Sequence, residues 1–146
     1  MPVWGWTEPG EPITVEFAGQ KQSTVADADG KWFVRLEPLP ACAEPRTLVV
    51  QSKTSKHKAE ISDVLVGEVW LGSGQSNMAF LVRNVRDFDQ EQAGAVLPLI
   101  RMFCEESKAA ATPQTNASGT WSVCSLETVG SFSATLFFLA ASCTGN

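Results

Sequence analysis

The stretch Asp63–Met78, DVLVGEVWLGSGQSNM, limits what this chain can fold into more than any other. Val64-Leu65-Val66 and Val69-Trp70-Leu71 are apolar, rich in β-branched residues, and show little alternation. Such a run predicts a strand buried on both faces, as in the parallel sheet of an α/β domain. It leads straight into Gly72-Ser73-Gly74-Gln75-Ser76-Asn77. A glycine-flanked serine just past a buried strand is where α/β hydrolytic folds expose a nucleophile. Glycines permit a tight turn and close approach of substrate, and freed N–H groups face a developing oxyanion. A plain strand-to-helix turn has the same composition, so these residues alone leave both readings open.

Gly67-Glu68-Val69-Trp70-Leu71, followed by Ser73-Gly74-Gln75-Ser76-Asn77-Met78, resembles the signature of the sialate O-acetylesterase family. These are carbohydrate acetylesterases of the SGNH-hydrolase superfamily, and GQSNM resembles their nucleophile block. Ser76 matches the family nucleophile. Gly72 stands where relatives often carry cysteine, a difference expected not to matter. Further landmarks follow in the family's order: Pro2-Val3-Trp4-Gly5-Trp6, Asp27-Ala28-Asp29-Gly30-Lys31-Trp32, Pro98-Leu99-Ile100-Arg101 and the segment Glu127 to Ala134. The likeness runs to about Phe138. It implies a three-layer α/β/α SGNH hydrolase domain, of which residues 62–146 would be an incomplete N-terminal portion.

Residues 1–61 read as β. Ile13-Thr14-Val15-Glu16-Phe17 alternates apolar and polar, the period of a half-buried strand. Gln22 to Val25 can pair back across Gly19-Gln20, and Asp29-Gly30 is a hairpin signal ahead of Lys31 to Leu36. Leu48 to Gln51 and Ala59 to Ile61 give two more short strands, whereas Pro38, Pro40 and Pro45 argue against a central strand around them. Short strands at this spacing predict a small antiparallel β-sandwich-like accessory domain. The fold class is therefore mixed, α+β with α/β. Trp4, Trp6 and Trp32 alternate with other residues on strands, which predicts core packing; exposed, they would instead offer a platform for sugars.

Net charge and composition exclude some partners. Sixteen acidic residues against eleven basic ones give a formal charge of −5, and the one basic cluster, Lys53 to Lys58, reads as a solvated loop. A nucleic-acid partner is not expected. No apolar run approaches the twenty or so residues of a membrane span. The N-terminus has no signal-peptide pattern. The family is often secreted, periplasmic or lysosomal, so the compartment stays open. Cys42, Cys104, Cys124 and Cys143 lack metal-ligand spacing and read as buried free thiols, with one disulfide as the alternative. Asn116-Ala117-Ser118 is a glycosylation sequon, relevant only in a eukaryotic secretory setting.

Beyond Met78, Leu99 to Phe103 and Gly119 to Cys124 predict strands, separated by an exposed loop from Lys108 to Ser118. Ser131 or Ser133 would cap a closing helix with Phe132, Leu136 and Leu139 on one face. Arg83 reads as a surface residue, although it lies near enough in sequence to meet a sugar carboxylate.

Serine ester hydrolysis needs a base beside the hydroxyl and donors for the oxyanion, but no metal or other cofactor. Ser76 would supply the nucleophile and one backbone oxyanion donor, with Gln75 and Asn77 binding substrate or supporting the turn. His57 is the only histidine and reads as an exposed loop residue. The resemblance implies a base from a later Asp-x-x-His segment, and oxyanion donors from later Gly-Gly-Thr and Gly-Glu-Ser-Asn blocks. None of these occurs here. After Phe138 the family continues with something like Gly-Arg-Glu-Leu-His, a sequence that one choice of codons for Leu139 to Asn146 encodes in a shifted frame. The expectation is an inactive fragment of an esterase acting on acetylated carbohydrate. The alternatives are a non-catalytic carbohydrate-binding module and a gene remnant that does not fold stably.

Overall fold

The computed structural model describes residues 1–106 and 110–144, in two units, Met1–Val69 and Trp70–Asn146. Six strands build the first unit: β1 (Pro2–Trp6), β2 (Pro12–Phe17), β3 (Gln20–Val25), β4 (Lys31–Arg35), β5 (Cys42–Ser52) and β6 (Lys58–Val66). β1 pairs with β4, while the other four form a sheet in the order β3-β2-β5-β6, and every pairing is antiparallel. Alternation places Ile13, Val15 and Phe17 of β2 on one face, where they share a core with Trp32 and Val34 of β4 and with Leu36 and Leu48. Each large side chain buried this way contributes about 1.5–3 kcal/mol. Thr14, buried on the opposite face of β2, shares a 3.2 Å hydrogen bond with the Ser23 hydroxyl on β3.

Asp29-Gly30 makes a turn, but not the predicted hairpin. Gly30 has φ of 76°, and the Asp27 carboxylate accepts from the N–H groups of Asp29 (2.9 Å) and Lys31 (2.8 Å). β3 is already paired with β2 through the shorter Ala18-Gly19 turn, where both residues have positive φ. The Asp27 turn therefore carries the chain across to β1, fastened by Thr7 N–H donating to the Gly30 carbonyl at 2.8 Å.

Pro45 lies inside β5, where sequence argued against a central strand. It falls between the paired residues Cys42 and Arg46, where the register with β6 shifts, and beyond the Val49–Ser52 segment that pairs with β2. An edge irregularity tolerates the missing N–H. The loop from Lys53 to Lys58 is exposed, as expected, apart from its tether. Buried Glu11 reaches it, its Oε1 accepting from Thr54 N–H (2.8 Å), Ser55 N–H (3.1 Å) and the Ser52 hydroxyl. The Ser52 hydroxyl does most to hold this carboxyl below its ordinary value, with burial opposing it.

The strand predicted over Val64 to Leu71 is corrected in two ways. Val64 to Val66 finish β6, antiparallel to β5, so that strand begins before residue 62 and belongs to the first sheet. Val69, Trp70 and Leu71 form no strand; Val69 is 90% and Leu71 94% exposed. A β-rich sequence becomes a strand only against a partner, and no described strand pairs with these residues.

The second unit contains α1 (Phe88–Gly94), β7 (Leu97–Glu105), β8 (Gly119–Cys124) and α2 (Ala134–Cys143), with short 3₁₀ turns at Val82–Asn84 and Val129–Ser131. β7 and β8 cover the two predicted strands and pair antiparallel, with a register shift between Leu97 and Arg101. Val82, Ile100, Val129, Phe132, Ala134 and Phe137 lead its core. α2 buries Ala134 and Phe137 rather than the predicted face, and Leu139 is exposed. The reason is the start point: Phe132 is still extended, so the helical count begins two residues later. Ser133 occupies the N-cap position without a side-chain capping bond. All four cysteines are free, but only Cys124 is buried, where desolvation pushes its thiol up. Among the described residues no helix is long and apolar enough to cross a membrane.

Candidate active site

Ser76 lies in a tight turn closed by Met78 N–H donating to the Gln75 carbonyl at 3.0 Å. Its φ is 47°, a left-handed conformation that costs a non-glycine residue about 1–2 kcal/mol. Gln75, Ser76 and Asn77 are all exposed. Gly74, with φ of 144°, supplies the conformation that bends the chain into the turn. The serine is thus held solvent-facing in a left-handed conformation on a glycine-led turn, with no strand directly before it.

The segment after the serine is laced to the start of α2. The Thr135 hydroxyl donates to the Asn77 carbonyl at 3.1 Å, and the Ser133 hydroxyl to Met78 Sδ at 3.6 Å. Ala134 N–H donates to the Phe80 carbonyl (2.8 Å) and Val82 N–H to the Phe132 carbonyl (2.9 Å). Support from Asn77 thus passes through its backbone; its side chain makes no hydrogen bond among the described residues. Ahead of the turn, Leu136 packs against Gly72, with a side-chain carbon 2.5 Å from where a Cβ would sit. Any side chain at position 72 therefore requires Leu136 to shift.

Sequence reading missed Ser133, Thr135 and Leu136 as positioning residues. The only signal was the SFSAT run itself, which reads as a helix cap. Within the described chain the Ser76 hydroxyl has no hydrogen-bond partner. His57 is an exposed loop residue of the first unit, where its carbonyl accepts from Ser52 N–H at 2.9 Å. Arg83 is exposed. Among the described residues no group of three or more His, Cys, Asp or Glu side chains is arranged to hold a metal.

No protein-family model matches the chain. Individual relatives do. Over 97% of its length it resembles the crystal structure of a carbohydrate acetylesterase from Xanthomonas citri, with a TM-score of 0.91 and 35% identity, covering 32% of that chain. The fold is thus one found in carbohydrate acetylesterases. The sialate O-acetylesterase of Mus musculus is 30% identical over 109 residues, 69% of this chain, and that of Homo sapiens is 32% identical over 97 residues, 61% of this chain. The chain belongs to the sialate O-acetylesterase family. It spans 20% of the mouse protein's length and 18% of the human one's.

Proposed function

We propose that this chain carries the nucleophile-bearing segment of an SGNH-type carbohydrate O-acetylesterase, with Ser76 as the nucleophile. The observation that supports this most is the exposed Ser76 at φ 47° on the Gly74 turn. Strain of that kind persists where function requires it, and the lacing to Ser133 and Thr135 holds it in place. Ser76 Oγ attacks the acetyl carbonyl, the sugar hydroxyl leaves with a proton, and water then hydrolyses the acetyl-serine to acetate. The Ser76 N–H is one oxyanion donor, and Gln75 and Asn77 flank the substrate. No metal enters this chemistry.

A free serine hydroxyl is a weak nucleophile, and none of the described residues hydrogen-bonds to the Oγ of Ser76. The proposal therefore includes a second part: the 146-residue chain alone turns over acetyl esters very slowly, because the base lies on another segment. Hydrolysis of p-nitrophenyl acetate by the purified chain and its Ser76→Ala variant tests that part. Equal background rates are expected. A rate that falls in the variant means that a base does reach Ser76, and the second part is then wrong.

A further inference from the structure

One face of the β1–β4 ribbon is built of exposed aromatic rings. Trp4 pairs across the ribbon with Phe33, and Trp6 with Lys31, so all four side chains share a face. Trp4 is 62% exposed and Trp6 54%, contrary to the core packing expected for them. Trp32 alone is buried, and Gly5 explains the arrangement. The Trp32 indole lies over Gly5, 2.6 Å from where a Cβ would stand, so the core side of β1 is already filled and the flanking tryptophans face outward.

These rings border an open cleft of about 410 Å³, which Thr24, Asp27 and Lys31 also line. The Arg35 guanidinium sits 5.8 Å from the Phe33 ring centre, keeping that ring oriented at the edge of the shelf. Neither the Trp4 nor the Trp6 indole nitrogen is hydrogen-bonded within the described chain. The cleft thus offers flat apolar rings, free N–H donors, a carboxylate, an ammonium and a hydroxyl, all close together.

We propose that this shelf binds carbohydrate, with pyranose rings stacked on Trp4 and Trp6. A pyranose presents an apolar C–H face to an aromatic ring and hydroxyls at its rim, which matches rings bordered by mixed charges. A protein segment docking here would prefer a drier face, without Lys31 and Asp27 in its lining. Adjacent outward positions on a strand lie about 7 Å apart, roughly one sugar ring. The choice of sugar over other flat ligands rests in part on the acetylesterase reading, but the shelf itself requires nothing of Ser76.

The test is titration of the full chain with xylohexaose and, separately, with sialyllactose, followed by the indole N–H resonances and by calorimetry. Binding of at least one is expected, with shifts at Trp4 and Trp6. Trp4→Ala or Trp6→Ala is expected to weaken it about tenfold, the loss of one stacked ring. Trp121→Ala, at an exposed tryptophan of the second unit, is expected to leave it unchanged. The two sugars separate neutral from sialylated ligands. Binding of neither sugar, or binding indifferent to Trp4 and Trp6, overturns the proposal, the first result pointing to a protein partner for the shelf. Because esterase activity is not the readout, failure of the Ser76 assignment would leave this result interpretable.

Discussion

Alanine at Gly30 and alanine at Gly19 start from the same backbone conformation and should have different consequences. Gly30 has φ of 76° and Gly19 has φ of 78°. At Gly19 nothing lies within 4 Å of an added Cβ, so only the left-handed backbone is penalised. That costs about 1–2 kcal/mol, offset by about 0.4–1 kcal/mol from the stiffer unfolded chain, a net loss near 1 kcal/mol. At Gly30 the added Cβ collides with the Thr7 carbonyl oxygen, a backbone atom that cannot swing aside. The turn must open, weakening the 2.8 Å bond from Thr7 N–H to the Gly30 carbonyl, which adds about 0.5–1.5 kcal/mol beyond the collision itself. The total for Gly30→Ala is roughly 2–4 kcal/mol. Urea unfolding followed by tryptophan emission measures both. With a slope of about 1 kcal/mol/M for a small unit, the midpoint falls by roughly 1 M in Gly19→Ala and by 2 M or more in Gly30→Ala. Equal shifts would refute the claim that the Thr7 contact, rather than φ alone, fixes the turn that leads into β4.

Ser76→Gly relieves the strain at φ 47°, about 1–2 kcal/mol, against about 0.5–1 kcal/mol of extra glycine entropy. It should leave the melting temperature unchanged or raised, whereas Ser76→Ala relieves nothing; a clearly lower melting temperature for Ser76→Gly would contradict the strain argument. Glu11 contributes through a lowered pKa, so its stabilisation is complete above its ordinary value of 4.5 and is lost as pH falls through the lower folded value. Glu11→Gln should therefore destabilise the chain near neutral pH and lose that effect in acid, read from unfolding curves at pH 7 and pH 3. Thiol alkylation of the native chain should label exposed Cys104 and Cys143 well before Cys124, whose burial both shields it and raises its pKa; equal rates would show that the second core opens readily.

The strands of the first unit were legible because alternation is local: Ile13 to Phe17 carries its own face assignment. Partner choice was not. Asp29-Gly30 announced a turn, but which strand Lys31–Arg35 joins depends on Thr7 and on the earlier Ala18-Gly19 hairpin. Period-two spacing likewise put Trp4 and Trp6 on one face of their strand, but core packing was expected for them as for Trp32; the missing Cβ of Gly5, which admits the Trp32 indole, leaves those two facing outward. Val69 to Leu71 have strand composition but no partner among the described strands, and composition alone does not make a strand. Around the site, Ser76 stood out through its glycines. The groups that hold its turn, Ser133 and Thr135, lie more than fifty residues away, and no local pattern links them.

The central claim, that Ser76 is an esterase nucleophile, is tested most directly in a complete enzyme. The chain would replace the matched 32% of the Xanthomonas citri carbohydrate acetylesterase, with acetate release from acetylated xylan measured for the chimera and its Ser76→Ala variant. An active chimera is expected, losing activity about a thousandfold or more when Ser76 becomes alanine, with both proteins folded alike by circular dichroism. An active chimera indifferent to Ser76→Ala would contradict the assignment.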